Sequence, residues 1–101
     1  MAKLLQIDFP FAGPFGAEMT SALEGLAQSI AQQPGLCWKI WTENAAEHIA
    51  GGIYLFTDQA SAEAYLAMHR ARLASFGIED IRARILDVNE GLTRIDRGPL
   101  A

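Results

Sequence analysis

The residues best suited to chemistry lie on one predicted helix. In the run from Ala62 to Leu73, helical spacing places Tyr65 and His69 one turn apart on the same inward face. A histidine in that position could take a phenolic proton as a general base near neutral pH, with Tyr65 as a hydrogen-bond donor. The alternative is a partly buried histidine bonded to a backbone carbonyl. The sequence leaves both interpretations open.

Trp38 adds an aromatic side chain to this candidate site. Strand alternation groups it with Leu36 and Ile40, on the face that we expect the helices to cover. There it would line an aromatic-binding pocket opposite Tyr65 and His69, and its alternative is a plain core residue. Three side chains with polar tips on facing surfaces favour the pocket.

Alternating and helical patterns predict four strands and two helices. The strands are Lys3–Phe9, Leu36–Glu43, Ile49–Thr57 and Asp80–Val88, and the helices are Ala17–Gln33 and a second one from a cap at Thr57 or Asp58 to Gly77. The order βαββαβ is the ferredoxin-like α+β pattern, with two helices on one face of an antiparallel sheet. We expect a single domain over residues 1–101, ending in an extended arm from Asn89 to Ala101.

Each predicted strand has one uniformly apolar face, which we assign to the helix side. These residues are Leu5, Ile7 and Phe9; Leu36, Trp38 and Ile40; Ile53 and Leu55; and Ile81, Ala83 and Ile85. The opposite face mixes charged side chains with Trp41, Tyr54 and Phe56. Because a monomer would expose these three aromatic residues, we predict a two-fold homodimer in which a second sheet covers them.

Composition and motifs exclude several classes of function. A net charge of −4, from 8 basic and 12 acidic residues, argues against a nucleic-acid partner. Cys37 is the single cysteine, so no intramolecular disulfide forms and a cytoplasmic location is expected. No apolar run reaches transmembrane length, so no membrane association is predicted. Metal-ligand spacing, a GxGxxG loop and a nucleophile-elbow serine are all missing, and we predict neither metal nor cofactor.

Three strings of residues resemble a known family. They are Phe11–Gly16 (FAGPFG), Trp38–Glu43 (WKIWTE) and Ala50–Asp58 (AGGIYLFTD), and the likeness runs over nearly the whole chain, including Asp87–Glu90. On these motifs the chain is identified as a member of the YdhR-type mono-oxygenase family. The resemblance implies a dimeric α+β barrel, in which two ferredoxin-like subunits join through their sheets. It also implies similarity to cofactor-independent mono-oxygenases of antibiotic biosynthesis, which oxidise polycyclic aromatic substrates with molecular oxygen.

Three functions are therefore alternatives. The first is oxygenation of an aromatic or quinol-like small molecule by molecular oxygen, without a cofactor. Its predicted catalytic residues are His69 and Tyr65, and its predicted substrate-binding residues are Trp38, Phe11, Phe15 and Met19. The second is a non-enzymatic binder of small hydrophobic molecules. The third is a haem-degrading oxygenase with His69 as axial ligand, although the first strand lacks the asparagine, and the second helix the tryptophan, that such enzymes carry.

Overall fold

The structure, a computed structural model, describes residues 1–100 of the chain. Its elements are β1 (Lys3–Pro10), α1 (Gly16–Ala31), β2 (Leu36–Asn44), β3 (Ile49–Phe56), α2 (Gln59–Ser75), β4 (Arg82–Asp87) and α3 (Glu90–Ile95). The strands form one antiparallel sheet in the order β2-β3-β1-β4. This topology confirms the predicted ferredoxin-like α+β fold. Among residues 1–100, no helix combines the length and the apolar character needed to cross a bilayer.

Local residues set where the two long helices begin and end. Asp58 caps α2, because its carboxylate accepts a hydrogen bond from the Ser61 backbone N–H at 2.7 Å. Gly77, with φ of 82°, follows the end of α2. Gly35, with φ of 79°, turns the chain from α1 into β2, and a Cβ there would lie 2.4 Å from Ser61 Oγ. Glycine at position 35 therefore lets the start of β2 lie against the first turn of α2.

The prediction of an extended arm after β4 is wrong, because this segment contains the short helix α3. The Asn89 side chain accepts a hydrogen bond from the Leu92 backbone N–H at 3.0 Å and so caps this helix. Arg94 and Glu90 pair across one turn at 2.9 Å. An asparagine cap and an i,i+4 ion pair are local signals, and they were present in the sequence.

One face of the sheet, which we call the helix-side face, carries the main core. Its residues are Leu5, Ile7 and Phe9 of β1; Lys39 and Trp41 of β2; Tyr54 and Phe56 of β3; and Ala83 and Ile85 of β4. Helices α1 and α2 cover this face with Met19, Ile30, Tyr65 and Leu73, among others. The predicted orientation of β1 and of β4 is confirmed.

The predicted orientation of β2 is wrong beyond its first residue. Leu36 is paired with Phe56, but Trp38 is paired with Leu55, so Cys37 is an extra residue in a β-bulge. A bulge of one residue shifts the alternation, and every later side chain of β2 changes face. Leu36 therefore packs on the core as expected, whereas Trp38 points away from the helices.

The predicted orientation of β3 is also wrong, without any bulge in its pairing with β1. Tyr54 is paired with Leu5, and both side chains face the helices. Because β3 is a central strand, both of its faces are apolar, and alternation alone could not identify the buried side. Tyr54 and Phe56 are buried within the subunit, with 1% and 0% of their surfaces exposed, so the prediction that they line a dimer interface is wrong, as it is for Trp41.

The opposite face, which we call the tail-side face, is only partly covered. Its first row, in register across the sheet, is Trp38, Leu55, Leu4 and Leu86. The tail leaves the sheet at β4, on one edge, and the Trp38 indole on the other edge donates a hydrogen bond to the Pro99 carbonyl at 2.8 Å. The tail therefore crosses this row, and Leu55 is only 2% exposed. In the next row Ile40 is 53% exposed.

Candidate functional site

A cavity of about 340 Å³ lies between the helix-side face and the two long helices. Most of its lining is apolar: Phe9, Phe11, Met19, Ala22, Leu23, Leu26, Ala50, Leu73, Phe76 and Ile78. Four side chains with polar tips also line it, Lys39 and Trp41 of β2, Tyr54 of β3 and His69 of α2. A mainly apolar cavity with a few convergent polar groups is the usual form of a small-molecule site.

The β2–β3 hairpin supplies an aromatic cage for a lysine. Lys39 Nζ lies 3.4 Å from the centroid of the Trp41 ring and 4.6 Å from that of Tyr54. An ammonium over aromatic faces is held by the negative potential of the rings. Burial lowers the pKa of Lys39 to about 7, and the positive charge of Arg72 adds to the effect. Near neutral pH this side chain therefore exists in both protonation states.

His69 is buried, with 3% of its surface exposed, and one ring nitrogen is already engaged. Arg72 reaches Nδ1 with Nε at 3.3 Å and with Nη2 at 3.1 Å. An arginine only donates hydrogen bonds, so Nδ1 accepts and the neutral ring carries its proton on Nε2. Burial lowers the pKa of His69 to about 3, helped by the positive charges of Lys39 and Arg72. At neutral pH, His69 is therefore an uncharged ring with Nε2–H as its remaining donor.

Tyr65 does not line the cavity, but its hydroxyl is hydrogen-bonded to that of Tyr54, which does. The Tyr65 hydroxyl donates a hydrogen bond to the Tyr54 hydroxyl at 3.1 Å, and the Tyr65 and His69 rings stack with centroids 5.0 Å apart. Burial raises the pKa of both tyrosines, so both hydroxyls keep their protons. Because one hydroxyl of this pair donates to the other, one of the two protons is left for another acceptor.

Three of the six predicted site residues line the cavity. Phe11 and Met19 line the cavity beside His69. Phe15 lies outside the lining and packs edge-on against Phe11, with ring centroids 5.7 Å apart. The expectation that Trp38 shares a surface with Tyr65 is wrong, because the bulge at Cys37 places Trp38 on the tail-side face.

Three cavity residues escaped the sequence interpretation, namely Lys39, Trp41 and Tyr54. All three lie on the strand faces that were assigned to a dimer interface. One signal was present in the sequence, since β3 carries the aromatic pair Tyr54 and Phe56 and α2 carries the stripe of Tyr65 and His69. In the structure, the rings of Tyr54 and Phe56 both pack against the ring of Tyr65. Aromatic residues on two elements of one domain favour packing against each other.

Comparison with known proteins is consistent with this architecture. One similar solved structure is the crystal structure of a mutant of SnoaB, a cofactor-independent oxygenase from Streptomyces nogalater. The match covers 87% of this chain and 93% of that chain, with a TM-score of 0.62 and 16% sequence identity. At that identity the likeness concerns the fold alone. No curated protein gives a significant sequence match. The family described as "Putative mono-oxygenase ydhR" matches residues 4–99, and the chain belongs to that family.

Proposed function

We propose that the protein is a cofactor-independent oxygenase that oxidises a planar aromatic or quinol-like molecule with molecular oxygen. The observation that carries the proposal is the mainly apolar cavity of about 340 Å³, whose lining includes the polar tips of Lys39, Tyr54 and His69. Membership of a mono-oxygenase family supports the reaction class. A cavity of this kind offers donors to an anion of the substrate.

The chemistry needs little from the protein beyond binding and proton transfer. An aromatic substrate that loses a proton becomes electron-rich enough to reduce oxygen itself. For an anthrone-type ring, two C–H bonds are lost at one carbon, one oxygen atom becomes the new carbonyl, and the other leaves as water. The substrate is the reductant and oxygen the oxidant, so the electrons balance without another redox group.

In this proposal His69 and Tyr54 are hydrogen-bond donors to the substrate. His69 would use Nε2–H, while Arg72 fixes the tautomer from the other side of the ring. A role for His69 as base would require the opposite tautomer, which would set Nδ1–H against the Arg72 donors. Tyr65 supports Tyr54 through the bond between their hydroxyls.

Oxygen uptake tests the reaction directly. We expect the purified protein to consume oxygen with an anthrone and to form the anthraquinone, read by absorbance. Ala22→Trp places a large ring in the cavity lining and should reduce the rate at least about tenfold. The matched control is Ala31→Trp, at an exposed position of the same helix that does not line the cavity, and it should keep the rate of the wild type.

The second candidate is a binder of small hydrophobic molecules, which the largely apolar lining favours. Trp41 lines the cavity and Trp38 does not, so each tryptophan can be observed alone. An aromatic ligand should quench Trp41 in the Trp38→Phe protein and leave Trp38 unaffected in Trp41→Phe. Quenching without oxygen uptake would favour the binder. A Soret shift with haem would instead revive the haem-degrading alternative.

We also propose that two copies associate through their tail-side faces. Ile40 and Leu86 of that face are 53% and 36% exposed, and Leu92 and Ile95 of α3 are 64% and 79% exposed. Exposed apolar side chains of this kind favour a protein partner, and an isologous pair of sheets is the simplest one. Light scattering should give twice the chain mass of 11.0 kDa.

A charge on that face tests where the copies meet. Ile40→Glu should shift the mass towards that of one chain, because it buries a carboxylate in the contact. Phe76→Glu places the same charge on another exposed apolar residue, away from the tail-side face, and should leave the mass unchanged. A single-chain mass for the wild type would contradict the association.

A further inference from the structure

Within residues 1–100, Lys39 is a half-buried amine with no anionic partner. Its contacts are the faces of Trp41 and Tyr54, at 3.4 and 4.6 Å from Nζ to the ring centroids. Across residues 1–100, the ion pairs join Lys3 to Asp87, Arg82 to Asp8 and Arg94 to Glu90, and none includes Lys39. No side-chain hydrogen bond of the described chain uses its three donors either. A cavity that holds such an amine has room for an anion beside it.

The charged and titratable groups around Lys39 reinforce this preference. Tyr54 faces it from β3, and His69 and Arg72 act on it from α2. The lining contributed by α1 is apolar, and among the residues that the structure describes no Asp or Glu lines the cavity. Glu43 and Glu24 line an adjoining groove, which shares Trp41 with the cavity. Among the described residues, the cavity lining therefore includes the Lys39 amine, with the Arg72 guanidinium beside His69, and no carboxylate to neutralise them.

The neighbouring strand leaves space for the lysine stem. A Cβ on Gly52 would lie 2.5 Å from Lys39 Cε and 3.3 Å from Nζ. Any other residue at position 52 would displace the end of the stem from the rings of Trp41 and Tyr54. The amine is thus positioned by the fold of the hairpin, and Gly52 is part of that positioning.

We propose that Lys39 is the acid–base group of the cavity and that it selects planar aromatic molecules with an acidic hydroxyl, such as a phenol or the enol of an anthrone. The inference rests on the proposed function, whose substrate must lose a proton before it reacts with oxygen. The hydroxyl O–H bond breaks and an N–H bond forms on Nζ. The new ammonium stays beside the phenolate or enolate as its counterion, and no electron is transferred in this step.

The protonation state of Lys39 fits this role. Because burial lowers its pKa to about 7, a large fraction is neutral at neutral pH and able to accept a proton. An anion bound beside Nζ would favour the charged form and raise that pKa again. Lys39 would therefore take the proton when the ligand binds, which His69 cannot do while Arg72 occupies its Nδ1.

A nitrophenol is a suitable probe, because the phenolate absorbs visible light and the neutral phenol does not. Equilibrium dialysis of 4-nitrophenol against the full-length protein, with a spectrum of the bound probe at each pH, gives both the affinity and the ionised fraction. We expect the bound probe to ionise at a lower pH than the free probe. This measurement is independent of oxygen consumption, so it separates the Lys39 proposal from the oxygenase proposal.

Variants assign the effect to the amine. Lys39→Met keeps the stem and should weaken phenolate binding about ten- to a hundredfold, the range for a hydrogen bond to a charged group. Arg70→Met removes an exposed positive charge from α2 and should change little. Gly52→Ala keeps the amine but displaces it, and should weaken phenolate binding in a protein that stays folded. Lys39→Arg should still hold the phenolate but lose turnover, because arginine accepts no proton.

The outcomes separate the two proposals. Unchanged phenolate affinity in folded Lys39→Met and Gly52→Ala proteins would overturn the assignment to Lys39. So would failure of the wild type to bind the probe, or tighter binding of its neutral form. Phenolate selectivity that depends on Lys39 but comes without oxygen uptake would support the acid–base site and reject the oxygenase.

Discussion

The two faces of this sheet are covered in different ways. On the helix-side face, α1 and α2 cover a set of aromatic residues and leave a cavity at Lys39 and His69. On the tail-side face, the segment after β4 crosses one row and leaves the next row, with Ile40, open. The cavity and the exposed apolar surface therefore belong to opposite faces.

The largest effect is expected where the backbone of β3 approaches that of β1. A Cβ on Gly51 would lie 2.0 Å from the Ile7 carbonyl oxygen and 2.8 Å from Asp8 Cα. No rotamer change relieves a clash with backbone, so Gly51→Val should cost more than the roughly 1–3 kcal/mol of ordinary overpacking and should disrupt both faces. Circular dichroism should show little folded protein. Gly25→Ala, on an open side of α1, is the control and should gain about 0.5–1 kcal/mol.

The next comparison uses matched leucines on the two faces. Leu5 on the helix-side face and Leu55 on the tail-side face are 0% and 2% exposed. If the tail buries the row containing Leu55 as fully as the helices bury Leu5, Leu5→Ala and Leu55→Ala should each lower the free energy of unfolding by about 2–5 kcal/mol in urea titrations. A cost below about 1 kcal/mol for Leu55→Ala alone would mean that the tail does not cover this row in solution.

The pH dependence of stability should come partly from the helix-side face. The pKa of His69 falls from 6.5 to about 3 on folding, because of burial and the charges of Lys39 and Arg72. Between these two values the unfolded chain binds a proton that the folded chain does not, so the free energy of unfolding rises with pH. One such proton contributes up to about 1.4 kcal/mol per pH unit.

Urea titrations between about pH 4.5 and 6 measure this slope, above the range in which most carboxyl groups titrate. His69→Gln should flatten it. His48→Gln is the matched control, because His48 lies exposed in the turn between β2 and β3, and the slope of the wild type should persist there. Equal slopes for His69→Gln and the wild type would show that His69 does not resist protonation in the fold.

The smallest effect is expected from the bond that fixes the tail. Trp38→Phe keeps an aromatic ring on the tail-side face and removes only the donor to the Pro99 carbonyl at 2.8 Å. We expect a loss of about 0.5–1.5 kcal/mol, the net value of one hydrogen bond, by thermal melting. On the other face, Trp41→Phe should weaken the cage around Lys39 instead, so only this second variant should alter binding of an aromatic ligand.

The sequence predicted the fold well, because long periodic elements and helix caps are local. The order of strands and helices, the Asp58 cap and the apolar faces of β1 and β4 were all readable. The resemblance through the FAGPFG, WKIWTE and AGGIYLFTD strings was also correct, since the family matches residues 4–99.

The site was predicted only in part, because strand faces depend on pairing. A single extra residue, Cys37, reversed β2, and no local signal distinguishes a bulged strand from a regular one in this stretch. The helix stripe of Tyr65 and His69 needed no pairing information and was located correctly. Lys39 was missed because a lysine in an alternating strand usually faces solvent, and only the arrangement of Trp41, Tyr54 and Gly52 shows why this one does not.

The contact between Trp38 and Pro99 also affects synthesis of the protein. These residues are 61 positions apart, so a ribosome must add most of the second half of the chain before the row containing Leu55 can be closed. Until then the nascent β2–β3 hairpin presents Trp38 and Leu55 to the surroundings. Chaperones that bind exposed apolar strands would have their longest access at this row, and slower translation of the last strand and tail would prolong it.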